Sequence, residues 1–378
     1  MSEQLSATPE EAQTRPPARL HEKLTPSAQG AGRWARWRRE ARRTSGWAGL
    51  LYIVPALSIL LLFEAWPIFY NIWISMWRWD IGPIRFVGLD NYVRLFGEGF
   101  VTRDYNEKLV VGEVLHTLLI TIYFVLGRVP ITILSAFGLA YLLFQGAARG
   151  RAALRTAFFL PYITSSIAVS TVFLWIFHER VGIANAVMLE LGLPPQRWLQ
   201  DPIPLAKRVG EWLGFGALEQ LPNLAAGPSM ALFVVILYSI WIALGYNIVI
   251  YLAGLTSIPN ELLEAARIDG ATQWRILRSI IWPLVTPTTF FLLIANTISS
   301  FQAFEPVYAL TRNVGMGRGE AGGPLNTTLT ITVYIFRNFY EKSNSVGYAA
   351  AVALFLFLLI LGLTIAQFRL FSRQVHYQ

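Results

Sequence analysis

Hydrophobic and polar positions along this chain alternate over tens of residues, not from one residue to the next. Six long apolar stretches, at about 47–76, 113–144, 157–177, 230–255, 280–304 and 346–368, are separated by polar segments. A helix needs about 20 apolar residues to cross the hydrocarbon of a bilayer, and each stretch meets that length. None shows the every-second-residue alternation of a membrane barrel strand. In lipid the backbone must satisfy its hydrogen bonds internally, so the pattern predicts six transmembrane helices and an all-α integral membrane fold. The second stretch is long, and Arg128 and Pro130 inside it mark a kink or a division into two shorter pieces.

Composition agrees with lipid as the solvent. Of 378 residues, 54% are hydrophobic and 14% charged, with a mean hydropathy of +0.46. Soluble domains carry about 25% charged residues. The absence of cysteine excludes disulfide scaffolds, thiolate metal sites and cysteine nucleophiles. A net charge of +8 would point a soluble protein toward nucleic acid; here the basic residues are distributed as membrane topology requires, and no nucleic-acid partner is expected. With the N-terminus inside, the inner segments 1–46, 145–156, 256–279 and 369–378 hold 17 of the 31 basic residues in about 92 positions. The outer segments hold 13 in about 129, with acids nearly matching bases. Positive charge collects on the cytoplasmic side, so both termini are expected in the cytoplasm of a multi-pass protein of the inner (cytoplasmic) membrane. No cleavable signal peptide is read in the polar tail 1–46. Residues 1–30 have the composition of a disordered segment. Arg33–Arg43 reads as a topology anchor with Trp34 and Trp37 at the interface, or as a binder of anionic lipid. Residues 372–378 form a second short tail.

The most informative polar segment is the loop at 257–283, SIPNELLEAARIDGATQWRILRSIIWP. Pro259 suits a first helical turn, and Glu261 and Glu264 follow near the positive helix N-terminus. Leu262, Leu263, Ala265, Ala266 and Ile268 recur at helical spacing. Gly270 permits the left-handed conformation that ends a helix. Thr272 is then the N-cap of a second short helix carrying Trp274, Ile276, Leu277, Ile280 and Ile281. Amphipathicity alone would fit a helix lying on the membrane surface.

The spacing is more specific than that. Glu264-Ala265-Ala266, three residues, Gly270, nine residues, Ile280 and Pro283 resemble the EAA loop of binding-protein-dependent ABC importer permeases, with Trp282 standing where the family usually has leucine. Further segments resemble the carbohydrate and glycerol-3-phosphate group of that family in the same order: FVGLDNYVRLF, ALRTAFFLPYITSS, RWLQDP, SSFQAFEPVYALT, GGPLNTTLTITVYIFRNF and VGYAAAVALFLFLL. The resemblance covers roughly Trp47 to Phe371. It implies a type I importer permease of six core helices, paired with a second homologous permease, two ATP-binding cassette subunits and an extracytoplasmic solute-binding protein. It also implies that Glu264, Ala265, Ala266, Asp269, Gly270 and Pro283 couple the chain to the ATPase. The 178–229 outer loop is longer than the family leads one to expect, and a small helical cap is expected there.

Chemistry beyond transport is not apparent. None of Lys23, Lys108, Lys207 and Lys342 sits in a GxxxxGK[ST] loop, so no nucleotide site of that kind is expected and ATP falls to a partner. His21, His116, His178 and His376 have no partners at metal-ligand spacing, no GxSxG elbow occurs, and the chain is expected to be no enzyme. The Asn326 sequon is read as chance. Polar residues inside spans are costly and mark pathways or interhelical contacts. Asn247 beside Tyr246, and Asn296, Ser300 and Gln302 with Thr297 and Ser299, are the candidates for a polyhydroxylated solute. Glu305 follows near the outer end. The alternative is a secondary transporter driven by an ion gradient. Glu64 and Arg128 make a poor proton relay for it, and neither repeated halves nor a midplane acid is visible.

Overall fold

The computed structural model describes residues 51–103, 107–145, 151–223, 225–312 and 321–371. The tail 1–46 with its Arg33–Arg43 run, the first four residues of the first expected span and the tail 372–378 lie outside the described residues. The helices are α1 (Leu51–Ser75), α2 (Asp90–Phe96), α3 (Glu113–Gln145), α4 (Arg151–Ile163), α5 (Ser166–Ile176), α6 (Ile183–Glu190), α7 (Leu205–Leu213), α8 (Met230–Thr256), α9 (Asn260–Ile268), α10 (Gln273–Phe301), α11 (Glu305–Thr311), α12 (Ile331–Tyr340) and α13 (Val346–Phe371). Among the described residues five of these, α1, α3, α8, α10 and α13, are long and apolar enough to cross a membrane, and α4 with α5 makes a sixth if the bent pair is one span.

The chain divides into two units at Ile68/Phe69. The first unit holds the N-terminal part of α1, whose large apolar side chains are exposed, as befits a surface meant for lipid or another apolar partner. A π-helical turn, Leu61–Ala65, contains Glu64. The second unit is organised around α8, where Leu232, Tyr238, Ile248, Tyr251 and Leu255 are fully buried. Helix α8 packs along α3, with α4 and α10 also against it. Two apolar clusters follow from this. One joins Ile120 and Phe124 of α3 to Leu232, Val235 and Tyr238 of α8, with Val307 and Ile331. The other joins Val129, Ala136 and Ala140 to Tyr251, Leu255, Val285 and Leu292. The early residues of α3 therefore meet the early residues of α8, and the two helices run in the same direction.

Four features differ from the sequence reading. The second stretch is not divided: α3 is a single helix of 33 residues with Pro130 inside it. Proline removes one backbone donor, but packing against α8 and α10 supports the turn from outside. The third stretch, expected as one span over 157–177, is instead broken between α4 and α5 with a 102° bend. Pro161 lies in the last turn of α4, and Ser165 takes an extended backbone conformation (φ −54°, ψ 124°). The second short helix of the loop does not end before the fifth span: its first turn, Gln273–Ile276, continues through a π-helical turn at Leu277–Ile281 into α10. Finally, two small antiparallel hairpins, Trp77–Trp79 with Pro83–Phe86 and Val101–Arg103 with Leu109–Val111, interrupt the helical pattern.

The connection 178–229 is helical in part, with α6, a turn at Trp198–Gln200, α7 and a short helix at Gly216–Glu219. The buried Asn185 ties it together: its amide donates to the Gln196 carbonyl (2.9 Å) and accepts from the Gln196 amide (2.9 Å) and the Trp198 indole (2.8 Å). Arg208 donates to Asp201 and to Glu211, each at 2.6 Å. The bond to Asp201, ahead of the opposing effect of burial and with help from Glu211, raises the Arg208 guanidinium above its usual pKa.

Candidate functional sites: the connecting loop and a polar cavity

Two places bring the sequence candidates together. The first is the loop between α8 and α10. Pro259 is the N-cap of α9, with an extended backbone (φ −60°, ψ 129°). Past the end of the helix Gly270 adopts φ +76°, a conformation that glycine takes without steric cost. The Ala271 amide then donates to the Ala266 carbonyl at 2.9 Å, closing the C-terminal turn. Thr272 caps the next helix by accepting from the Arg275 amide (3.4 Å).

This geometry sorts the loop's side chains onto two sides. Leu263 and Ile276 are buried in the same apolar cluster as Val129 and Ala140 of α3 and Leu255 of α8. Ile268 and Trp274, by contrast, are 86% and 68% exposed. Glu264, Ala265, Asp269 and Gly270 are exposed as well, while Ala266 and Pro283 are half-buried. Glu264 and Arg267 line a cavity of about 280 Å³ shared with Tyr141 and Phe144 at the end of α3. The loop is thus anchored on one side to the helices and presents charge and large apolar groups on the other.

The second place is a cavity of about 580 Å³ formed by α3, α4, α5, α8, α10 and the start of α11. That is within the range of about 300–1,000 Å³ typical of small-molecule sites. The break between α4 and α5 creates one wall, contributing Tyr162, Thr164 and Ser166. Tyr238 and Ser239 of α8, and Ser299 and Gln302 of α10 or just past it, face them. The Ser166 and Tyr238 hydroxyls lie 2.7 Å apart, and the Tyr238 hydroxyl also donates to the Ser166 carbonyl at 2.8 Å. Hydroxyls, an amide and the rings of Tyr162, Tyr238 and Phe304 give the lining both hydrogen-bonding groups and aromatic faces.

The sequence candidates fall unevenly around this cavity. Gln302 lines it. Ser300 is buried; it donates to the Asn296 carbonyl (2.6 Å) and accepts from an Arg128 Nη (2.9 Å). Tyr246 stacks on Tyr162 with ring centres 5.4 Å apart. Asn247 and Asn296 are 1% and 4% exposed and face each other: Asn296 Nδ2 donates to Asn247 Oδ1 at 2.7 Å, and Asn247 Nδ2 to Asn296 Oδ1 at 3.5 Å. Each also donates to the carbonyl four residues earlier, at 2.8 Å. Their hydrogen bonds are thus largely spent between α8 and α10.

Sequence reasoning gave the cavity too little of α3, α4 and α5. Arg128, read there as a kink marker or half of a proton relay, lines the cavity near the middle of α3. An arginine at the centre of a spanning helix costs about 2.5–3.5 kcal/mol on insertion scales. That cost was the available signal. Tyr162, Ser166 and Tyr238 were masked by the apolar runs around them.

Comparison with known proteins adds to this picture. The family described as "Binding-protein-dependent transport system inner membrane component" matches residues 128–376. An sn-glycerol-3-phosphate transport system permease protein of Yersinia pestis bv. Antiqua (strain Antiqua) is 28% identical over 334 residues, covering 88% of this chain and 96% of its own. The Bacillus subtilis (strain 168) protein named "Probable ABC transporter permease protein YesP" is 32% identical over 340 residues, with 89% and 94% covered. A lactose transport system permease protein of Rhizobium radiobacter is 29% identical over 322 residues, with 85% and 92% covered. A chain of a bacterial alginate ABC transporter, solved in complex with an alginate pentasaccharide-bound periplasmic protein, shares the fold with a TM-score of 0.64 at 20% identity, over 89% of this chain and 96% of that one. Five or six helices long and apolar enough to cross a membrane, an anchored loop after α8 and relatives that are transport permeases agree on one assignment: the chain belongs to the binding-protein-dependent transport system inner membrane component family, the permeases of ABC importers.

Proposed function

We propose that this chain forms half of the membrane pathway of an ATP-driven importer for a carbohydrate or a polyol phosphate. In this reading both termini are cytoplasmic, so the loop at 257–283 faces the cell interior. Two ATP-binding cassette subunits dock there, a second homologous permease completes the pathway, and a solute-binding protein delivers cargo from outside. ATP belongs to the cassettes, and this chain performs no covalent step. Sugars, glycerol phosphate and lactose occur in the names of its relatives and structural neighbours, and the hydroxyl- and ring-lined cavity suits such solutes.

The observation that carries the reading is the two-sided loop. Leu263 and Ile276 are packed into the helices, Ile268 and Trp274 are left facing outward, and Glu264 is exposed at the crevice beside the end of α3. An outward group pushed by the ATPase moves residues that share a core with α3, α8 and α10. Glu264 supplies a charge for the contact, and Gly270 holds the two short helices at a fixed angle. The ion-gradient alternative needs a buried acid within a span. Among the described residues the buried carboxylate is Asp201, which lies in the 178–229 connection and is bound by Arg208.

The test is Gly270→Pro in the assembled transporter reconstituted in vesicles. Proline cannot reach φ +76°, so solute uptake is expected to fall by about ten-fold or more. Solute-stimulated ATPase activity should fall with it. Unchanged uptake and stimulation would remove the lever from the account.

A further inference from the structure

Arg128 is the cation of the bundle cavity, and its surroundings are unusual. Its Nη1 donates to the Ser300 hydroxyl (2.9 Å) and the Ser299 hydroxyl (3.2 Å). Both serines are in turn held by the Asn296 carbonyl, at 2.6 and 3.1 Å. The serine protons are committed to that carbonyl, so their lone pairs remain for the arginine. The guanidinium is therefore fixed by neutral groups alone. Its Nε is shut away from solvent with no hydrogen-bond partner. Among the described residues Arg128 makes no ion pair with a carboxylate. Charges taken out of water are normally paired, and this half-buried one is left with neither a counter-charge nor a full set of acceptors.

A second positive feature stands in the same wall. Helix α5 begins at the break in the third span, and its N-cap Ser165 makes no side-chain capping bond to the first-turn amides. Thr164 and Ser166, on either side of that start, line the cavity together with Arg128. The N-terminus of a half-helix inside a membrane carries partial positive charge and uncapped donors, the arrangement that receives anionic groups. Glu305 is the one acid on the lining. It is exposed and makes no ion pair with Arg128 among the described residues.

We infer that this cavity takes an anionic polyol, with Arg128 and the start of α5 receiving its carboxylate or phosphate and the tyrosine and glutamine side chains receiving its hydroxyls. The inference rests on the proposed importer function and narrows its carbohydrates and polyol phosphates to solutes that carry a negative charge. Glu305 then acts against the anion and tempers its affinity.

The test uses the whole transporter, with partner permease, cassettes and binding protein, in phosphatidylcholine vesicles. The probes are sn-glycerol 3-phosphate, an alginate trisaccharide and lactose, and uptake is normalised to assembled complex. Wild type is expected to import an acidic probe. Arg128→Gln is expected to raise its KM about ten-fold or more, as loss of a charge-assisted contact does, with Arg128→Lys in between. Glu305→Gln is expected to lower the same KM by about two- to three-fold, since it removes a like charge. Opposite shifts are something a purely structural role would not produce. Import of lactose alone overturns the inference and leaves the importer reading standing. Import of none of the three also overturns the inference, and the importer reading then stands or falls on the Gly270→Pro test. Equal loss with Arg128→Gln and Arg128→Lys, or no response to Glu305→Gln, makes Arg128 structural and overturns the inference. The series is repeated with phosphatidylglycerol added. A KM effect confined to that lipid assigns the site to a headgroup and also overturns it.

Discussion

At the scale of single residues, the polar groups inside the spans divide into those that hold helices together and those that face open space. Asn247 and Asn296 belong to the first kind, because each amide is occupied by the other and by a carbonyl of its own helix. Truncating either should cost about 0.6–2 kcal/mol, the range measured for interhelical hydrogen bonds in membranes. The double variant Asn247→Ala/Asn296→Ala should cost less than the sum of the singles, because the first truncation already orphans the partner. Denaturant unfolding of the purified transporter in detergent measures this, and strict additivity would disprove the pairing. Both asparagines were visible in the sequence as costly polar positions. Their mutual contact was not, since 49 residues separate them.

At the scale of elements, close approach and backbone breaks decide the geometry. A Cβ at Gly245 would collide with the Phe158 carbonyl oxygen, so α8 and α4 approach each other over a bare backbone. Gly138 in α3 has open space where its Cβ would be. Gly245→Ala is therefore expected to destabilise by about 1–3 kcal/mol through overpacking. Gly138→Ala is expected to be neutral or to stabilise by up to about 1 kcal/mol through helix propensity. Thermal unfolding midpoints of the two variants should move apart, and a shared direction would contradict the packing described. Element positions were largely legible, because a 20-residue apolar run admits few structures in lipid. What stayed hidden was local. A stretch with Pro161 in one run and Pro130 in another gives no hint that the first breaks its span and the second does not. The difference shows past the proline: α3 stays helical beyond Pro130 along α8 and α10, whereas Ser165, four residues after Pro161, takes an extended conformation. The hairpins at 77–86 and 101–111 were missed because strands of three or four residues are too short to display a period in the sequence.

At the scale of the whole molecule, the loop and the cavity are joined by one body of side chains. The apolar cluster that holds Leu263 also holds Val129, the neighbour of Arg128 on α3, and Leu292, four residues before Asn296 on α10. The spacing of Glu264, Gly270 and Pro283 announced the loop in the sequence, but its grip on the helices depends on Leu263 and Ile276, which look like any other apolar residues of an amphipathic segment. That grip has a consequence for energy use. Leu263→Ala would open a void costing about 2–5 kcal/mol of local packing while leaving the outward face intact. Under the proposed function, cassettes would still seat on such a protein, yet their stroke would be absorbed at the loosened seam. The expected signature is idling: nucleotide turnover continues while cargo delivered per ATP drops, a ratio that paired radiolabel and phosphate-release measurements read directly.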